Sequence, residues 1–242
     1  MASDFDPRAV KAMVFDTFGT VVDWRGSIIA EGESYWKPVK GIDIDWPAFA
    51  DAWRGKYGPS MNKVRSGELP WTKLDDLHRL ALEMNLEEFK VRGLSEVDKQ
   101  HLNLVWHRLN AWPDAPSGLA RLKSRYLIAP LSNGNLSLLT EMAKFAGLPW
   151  DCVLGADLFQ HYKPDPETYL GAAAILGLEP GQVMMTAAHV GDLEKARELG
   201  LRTAYVHRAN EGGPGRERPR PADGDFDVVA DDFRDMAAKL GL

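Results

Sequence analysis

Six short apolar runs, each followed by a stretch of helical patterning, constrain this chain more than any other feature. They cover residues 12–15, 126–131, 152–155, 183–186, 203–206 and 228–230. A run that is apolar throughout, rather than at alternate positions, belongs to a strand buried on both faces. Strands of that kind separated by helices build a parallel sheet with helices packed on either side. The helical stretches end in Gly147-Leu148, Gly177-Leu178 and Gly200-Leu201, and glycine just past a helix supplies the left-handed cap before the chain turns into a strand. The expected fold class is α/β, with a Rossmann-like parallel core.

The alternation breaks once, between residues 23 and 112. This stretch holds seven of the eight tryptophans and patterns as amphipathic helices, notably 72–84 and 95–109. A helical insertion directly after the first strand predicts a smaller cap seated over the carboxyl edge of the sheet, where open α/β sheets bind ligands. The expected division is a core of residues 1–22 and 113–242 and a cap of 23–112, with Pro113 and Pro116 marking re-entry. The competing arrangement places these helices in one common core, and a chain of 242 residues is long enough for either. The Gly-, Pro- and Arg-rich stretch 212–224 is expected to be a solvated loop.

Several function classes are excluded by composition. Twenty-nine basic residues against 35 acidic ones give a net charge of -6 without any block of like charge, which argues against nucleic acid or an anionic membrane as partner. The longest apolar run is interrupted by glycines and too short to span a bilayer. The first ten residues show no apolar signal segment, so a cytoplasmic protein is expected. The single cysteine, Cys152, has no disulfide or metal-cluster partner. His78, His101, His107, His161 and His207 form no i, i+4 pair of the kind that ligates metal. Asn135-Leu136-Ser137 matches a glycosylation sequon and is read as chance.

Chemistry-bearing residues gather at the strand ends. The first strand stops at Asp16-Thr17-Phe18-Gly19-Thr20 and the second at Leu131-Ser132-Asn133-Gly134; Tyr162-Lys163-Pro164-Asp165 follows the third, and Ala188-His189-Val190-Gly191-Asp192 the fourth. Each has a structural reading of its own: a turn-forming Asp, a Ser/Asn helix cap, a solvent-facing lysine. Four strand ends carrying Asp, Ser/Asn, Lys and Asp in that order are much harder to assign to structure alone.

In that order they resemble the four motifs of the haloacid dehalogenase superfamily, over nearly the whole chain, with the insertion where that family places its first cap. Phosphatase members resemble Asp-x-Asp in the first motif, where the second Asp protonates the leaving group; here that place is Phe18, which cannot transfer a proton. They also carry a pair of acids near the fourth strand that helps to hold Mg²⁺. Asp192 aligns with the second acid of that pair and Ala187 stands where the first belongs, so the resemblance implies no metal and no organic cofactor.

What remains resembles the L-2-haloacid dehalogenase branch. Asp16-Thr17-Phe18-Gly19-Thr20 matches Asp-x-Tyr-Gly-Thr with Phe for Tyr, Leu131 to Gly134 matches Leu-Ser-Asn-Gly, Lys163, Pro164, Asp165 and Tyr169 match the lysine motif, and Trp53-Arg54 matches the cap pair. Ala187-Ala188-His189 departs from the family's Ser-Ser-Asn, so the roles of that serine and asparagine do not transfer. His189 either lines the site or satisfies a buried hydrogen bond.

The resemblance implies hydrolysis of small (S)-2-haloacids to (R)-2-hydroxy acids, with a 2-halocarboxylate and halide as ligands. Asp16 would attack C2 and form an ester, Lys163 would keep it ionised, and Arg54 and Asn133 would receive the halide. Ser132 would hold the substrate carboxylate, with Thr17, Phe18 and His189 lining the cavity and Thr20 and Tyr169 in support. Asp192 would activate the water that hydrolyses the ester. A homodimer is expected from the Trp-rich insertion. The alternatives are a metal-dependent phosphatase or other hydrolase of the superfamily, and a small-carboxylate binder without turnover.

Overall fold

The computed structural model describes residues 5–242. The chain runs through β1 (Ala12–Phe15), β2 (Val22–Asp23), the helices α1 (Trp24–Glu31), α2 (Lys37–Lys40), α3 (Trp46–Gly55), α4 (Tyr57–Arg65), α5 (Leu74–Glu88) and α6 (Glu96–Asn103), and then β3 (Asn110–Ala111). It continues through α7 (Ala115–Lys123), β4 (Leu127–Ser132), α8 (Leu136–Ala146), β5 (Leu154–Gly155), α9 (Pro166–Ile175), β6 (Val183–Ala187), α10 (Val190–Glu198), β7 (Arg202–Val206), β8 (Val228–Ala230) and α11 (Phe233–Lys239).

Six strands form one parallel sheet in the order β5-β4-β1-β6-β7-β8. β1 is central, pairing Met13 with Ile128 on one side and with Met184 on the other. The strand order therefore reverses at β1, which leaves a crevice beyond its carboxyl end. All four β1 side chains are buried. Met13 and Phe15 join Ile128 and Met184 on one face, while Val14 joins Ala129 and Met185 on the other. The continuous apolar runs follow from that two-sided burial.

The expected third strand is shorter than its run: Cys152 and Val153 are only half-buried at the sheet margin, and only Leu154 and Gly155 pair with β4. The predicted 95–109 helix ends at Asn103, passing into a tighter 3₁₀ turn at Leu104–His107. The three Gly-Leu pairs behave as expected, with Gly147, Gly177 and Gly200 all at positive φ.

Helices α1–α6 lie between β1 and β4, closed at their base by the short antiparallel pair Val22↔Ala111 and Asp23↔Asn110. Their aromatic interior of Trp36, Trp46, Phe49, Trp53 and Trp106 is continuous with the Met13–Phe15 face of the sheet through Phe18 and Trp24. Five of the tryptophans are thus buried rather than displayed. Polar ties join the helices to the sheet side: Asn135 Nδ2 donates to Asp75 Oδ2 at 2.8 Å, and His107 bridges Asp75 and Glu141 at 2.8 Å each. The sequon asparagine Asn135 is buried in this contact. Among the described residues, no helix is long and apolar enough to cross a membrane.

Candidate active site

The β1 strand ends with the Asp16 amide donating to Thr186 O at 2.9 Å, so its side chain leaves the sheet at the reversal point. The chain then turns sharply. Gly19 sits at φ 86°, and a Cβ there would lie 2.1 Å from Glu211 Oε1. Glycine is demanded twice, by the left-handed backbone and by the carboxylate packed against it. The turn returns Thr20 beneath Asp16, where Thr20 Oγ1 accepts from the Ala188 amide at 3.0 Å and donates to Asp16 Oδ2 at 2.7 Å.

Lys163 arrives from the loop before α9 and Asp192 from the first turn of α10. The Lys163 ammonium donates to Asp16 Oδ1 at 3.0 Å and to Asp192 Oδ2 at 2.5 Å, and the Tyr169 hydroxyl donates to Asp192 Oδ1. Asn133 grips the Lys163 backbone, accepting from its amide at 2.6 Å. His189 completes the cluster: Nδ1 lies 2.9 Å from Asp16 Oδ2, and Nε2 lies 3.0 Å from both oxygens of Glu211.

Burial alone would push the Asp16 carboxyl up, but Lys163, His189 and Thr20 outweigh it and hold it well below the usual carboxylate range. Burial would lower Lys163, and the two aspartates raise it instead. His189 is likewise raised against burial, by Asp16 and Glu211, to about 9. The result is an ionised carboxylate held between two cations, away from bulk water.

A cavity of about 310 Å³ opens above this cluster and is lined by Asp16, Asn133, Lys163, His189 and Asp192 from the sheet side and by Arg54 and Tyr57 from the helices. Arg54 is not a surface residue. Its guanidinium lies 4.0 Å from the Tyr57 ring centroid, with Phe18 and Trp24 at 5.7 and 5.6 Å. Its buried Nη1 has no hydrogen-bond partner among the described residues.

Seven of the sequence-predicted site residues therefore share one cavity: Asp16, Arg54, Asn133, Lys163, Tyr169, His189 and Asp192. Thr20 supports Asp16 from behind. Phe18 lies under Arg54 and edge-on to Trp106. Thr17 is buried with its hydroxyl unpartnered among the described residues. Ser132 lies below the cavity, where its hydroxyl accepts from the Gly134 amide at 3.2 Å.

Three participants escaped the sequence reading: Tyr57, Glu211 and Arg208. Tyr57 stands three residues beyond Arg54, a helical spacing that could have flagged it. Glu211 and Arg208 come from the segment after β7, which crosses the same carboxyl edge. Arg208 donates to Thr20 O at 2.8 Å and grips Asp114 with both terminal nitrogens, fixing the turn from below. The adjoining 212–224 stretch is exposed at 214–219, as expected of a loop, but its start is drawn inward and Arg216 reaches Asp51 on α3.

The donor set does not suit a divalent metal. Both oxygens of Asp16 and both of Asp192 are engaged by N–H or O–H donors, Lys163 places a cation between them, and Phe18 and Ala187 offer no side-chain oxygen.

Comparison with known proteins assigns a family. The haloacid dehalogenase-like hydrolase family matches residues 10–212. The chain belongs to that family. Among its relatives, the (S)-2-haloacid dehalogenase 4A of Burkholderia cepacia is 30% identical over 210 residues, covering 85% of this chain and 86% of the relative. A solved structure of a defluorinating L-2-haloacid dehalogenase superposes with a TM-score of 0.92 at 45% identity, covering 96% of both chains. A second L-2-haloacid dehalogenase superposes with a TM-score of 0.91, also at 45% identity, covering 96% of this chain and 99% of the other.

Proposed function

We propose that this protein is a hydrolase acting on carbon–halide bonds, converting (S)-2-haloacids to (R)-2-hydroxy acids through an ester on Asp16. The observation that carries this reading is that a buried, ionised Asp16 and the Arg54 guanidinium line one small cavity, with Arg54 Nη1 buried and unpartnered among the described residues. One group is a nucleophile and the other a destination for the leaving anion. Relatives named as 2-haloacid dehalogenases support the same chemistry.

Asp16 Oδ1 has one donor, Lys163, whereas Oδ2 has two, Thr20 and His189. Oδ1 therefore keeps the more available lone pair and is the attacking oxygen. Backside attack at C2 breaks the carbon–halogen bond, inverts the centre and releases halide towards Arg54 and Asn133. The substrate carboxylate is held near the Ser132–Asn133 turn, with Thr17 and Phe18 shaping the wall. Asp192, fixed by Tyr169 and Lys163, then takes a proton from the water that attacks the Asp16 carbonyl carbon. The C–Oδ1 bond breaks, and the hydroxy acid leaves with Oδ1.

The same proposal places a nucleophilic core at residues 1–22 and 113–242 and a cap at 23–112. Halide as product, a cytoplasmic location and a homodimer complete it. Support for the dimer comes not from the buried tryptophans but from Leu80, Met84 and Val97, exposed on α5 and α6.

The deciding assay is halide release from (S)-2-chloropropionate, with and without EDTA, beside p-nitrophenyl phosphate with Mg²⁺. Halide release that survives EDTA, with an (R)-hydroxy acid product, is expected. A first turnover in H₂¹⁸O should give largely unlabelled product, because its new oxygen comes from Asp16. Phosphatase turnover that needs Mg²⁺, or retention of configuration, would reverse the assignment. A 2-fluoro substrate joins the panel because the relative superposing at 0.92 is described as defluorinating.

A further inference from the structure

The residue at His189 is a departure from the motif this chain otherwise resembles, and Glu211 lies outside every motif. Yet the two occupy the most consequential contact in the site. Both ring nitrogens of His189 face carboxylates, Asp16 on one side and Glu211 on the other. An ionised carboxylate only accepts hydrogen bonds, so both nitrogens carry protons and the ring is an imidazolium. Glu211 is buried, and the missing Cβ of Gly19 gives it room. It takes further support from Trp24 Nε1 at 3.4 Å and from Arg218 at 3.4 Å.

Resting on the ester mechanism above, we propose that His189 is a further catalytic residue, which with Thr20 forms the oxyanion site for hydrolysis of the Asp16 ester, and that Glu211 is its positioning residue. When Asp16 Oδ1 becomes the ester oxygen, Oδ2 becomes the carbonyl oxygen. Its donors are already in place at 2.7 and 2.9 Å, within the 2.7–3.1 Å expected of oxyanion donors. Water adds to the carbonyl carbon, the carbonyl pair moves onto Oδ2, and Asp192 holds the water proton. Collapse restores the carbonyl and expels the hydroxy acid through Oδ1, which takes the proton back from Asp192 as it leaves, and the Asp16 carboxyl then loses its own proton to solvent. His189 keeps its own proton throughout. Esterification neutralises Asp16, so in the intermediate Glu211 is the anion that keeps the ring charged.

The groups facing His189 set its pH behaviour: Asp16 with Lys163 and Asp192 behind it, Thr20, and Glu211 with Arg218 beside it. Asp23 and Arg54 act on Glu211 from the cap side. The two carboxylates raise His189 to about 9 in the resting enzyme, so the ring enters the reaction charged; in the ester only Glu211 still raises it, and the charged donor is lost at a lower pH than in the resting enzyme.

The test is rapid-quench single turnover with (S)-2-chloropropionate, reading ester by intact-protein mass spectrometry and chloride in parallel. His189→Ala should slow ester hydrolysis by roughly 10²-fold, the cost of one oxyanion donor, while slowing ester formation less than about tenfold. In the wild type the hydrolysis rate constant should fall at high pH. Glu211→Gln, which keeps the shape, should accumulate ester and move that fall to lower pH. Wild-type hydrolysis in either variant overturns the proposal, as does a rate constant rising with pH through the His189 ionisation, which would make the neutral ring a base. Absence of any wild-type ester would instead overturn the function itself, and this inference with it.

Discussion

On the sheet side of the cavity, Asp16, Lys163, Asp192, His189 and Glu211 direct their charged atoms at one another. On the side of the helices α1–α6, Arg54 Nη1, both ring nitrogens of His78 and Trp106 Nε1 are buried without partners among the described residues. The two histidines show the contrast. Between two carboxylates, His189 is raised to about 9; His78, stacked on Trp106 with ring centroids 4.2 Å apart, is lowered by burial to about 3. The floor fixes its protonation states before substrate arrives. The roof excludes water and leaves a cationic N–H unsatisfied, as an anion-receiving wall requires. If this division is correct, floor and roof substitutions should separate stability from turnover in different ways.

The floor should show the largest effect. Replacing Lys163 by Met leaves Asp16 and Asp192 buried without their shared cation, and breaking such a contact costs about 3–5 kcal/mol. Halide release should fall by roughly 10²-fold or more, since both the ionised nucleophile and the positioned base depend on it. The stability deficit, followed by urea unfolding, should shrink as pH falls, because protonating one aspartate relieves the repulsion. A deficit independent of pH would show that Lys163 acts by packing rather than charge.

Arg54→Met tests the roof. It removes the unsatisfied N–H but keeps an apolar chain over Tyr57, so stability should drop by only about 1 kcal/mol, the worth of a partly desolvated cation–π stack. Chloride release should nevertheless fall by roughly 10²-fold, as for loss of one donor to developing charge. Stability and activity falling together would merge roof and floor into one structural unit.

Much of the floor was legible because topology and chemistry coincide there. Asp16 and Asn133 follow buried runs, Lys163 lies just before one helix and Asp192 in the first turn of another, so a parallel sheet carries all four to one edge. Arg54 was legible only through its neighbour Trp53; nothing in its helical spacing required a cage of Phe18, Trp24 and Tyr57. Glu211 was not legible. It belongs to an aperiodic segment beside a Gly- and Pro-rich loop, and what draws it inward is space left by Gly19, 192 residues earlier in the chain. Ser132 shows the converse: the motif was present, but its hydroxyl is turned to a local backbone amide. The two-residue strands β2 and β3 are too short to carry a period at all.

The smallest effect separates a functional roof from a merely aromatic one, and it turns on His78. Its ring is fully enclosed among Phe18, Trp53, Tyr57 and Trp106, and neither nitrogen has a partner among the described residues. Burial lowers its pKa first, with Arg54 and His107 adding and Asp75 opposing. A group whose folded pKa lies near 3 but whose unfolded value is 6.5 takes up a proton on unfolding, so it removes stability as pH falls from about 6.5 towards 3. His78→Phe keeps the stack on Trp106 and removes two unsatisfied nitrogens, so urea unfolding at neutral pH should show a gain of about 1 kcal/mol. The gain should widen with acidification and be unchanged between pH 7 and 8. Chloride release should stay near the wild-type rate, because His78 does not line the cavity and packs against the lining residue Tyr57. A loss of stability, or a gain that does not grow with acid, would mean that His78 has a polar partner in solution and that the roof is not the dry wall described above.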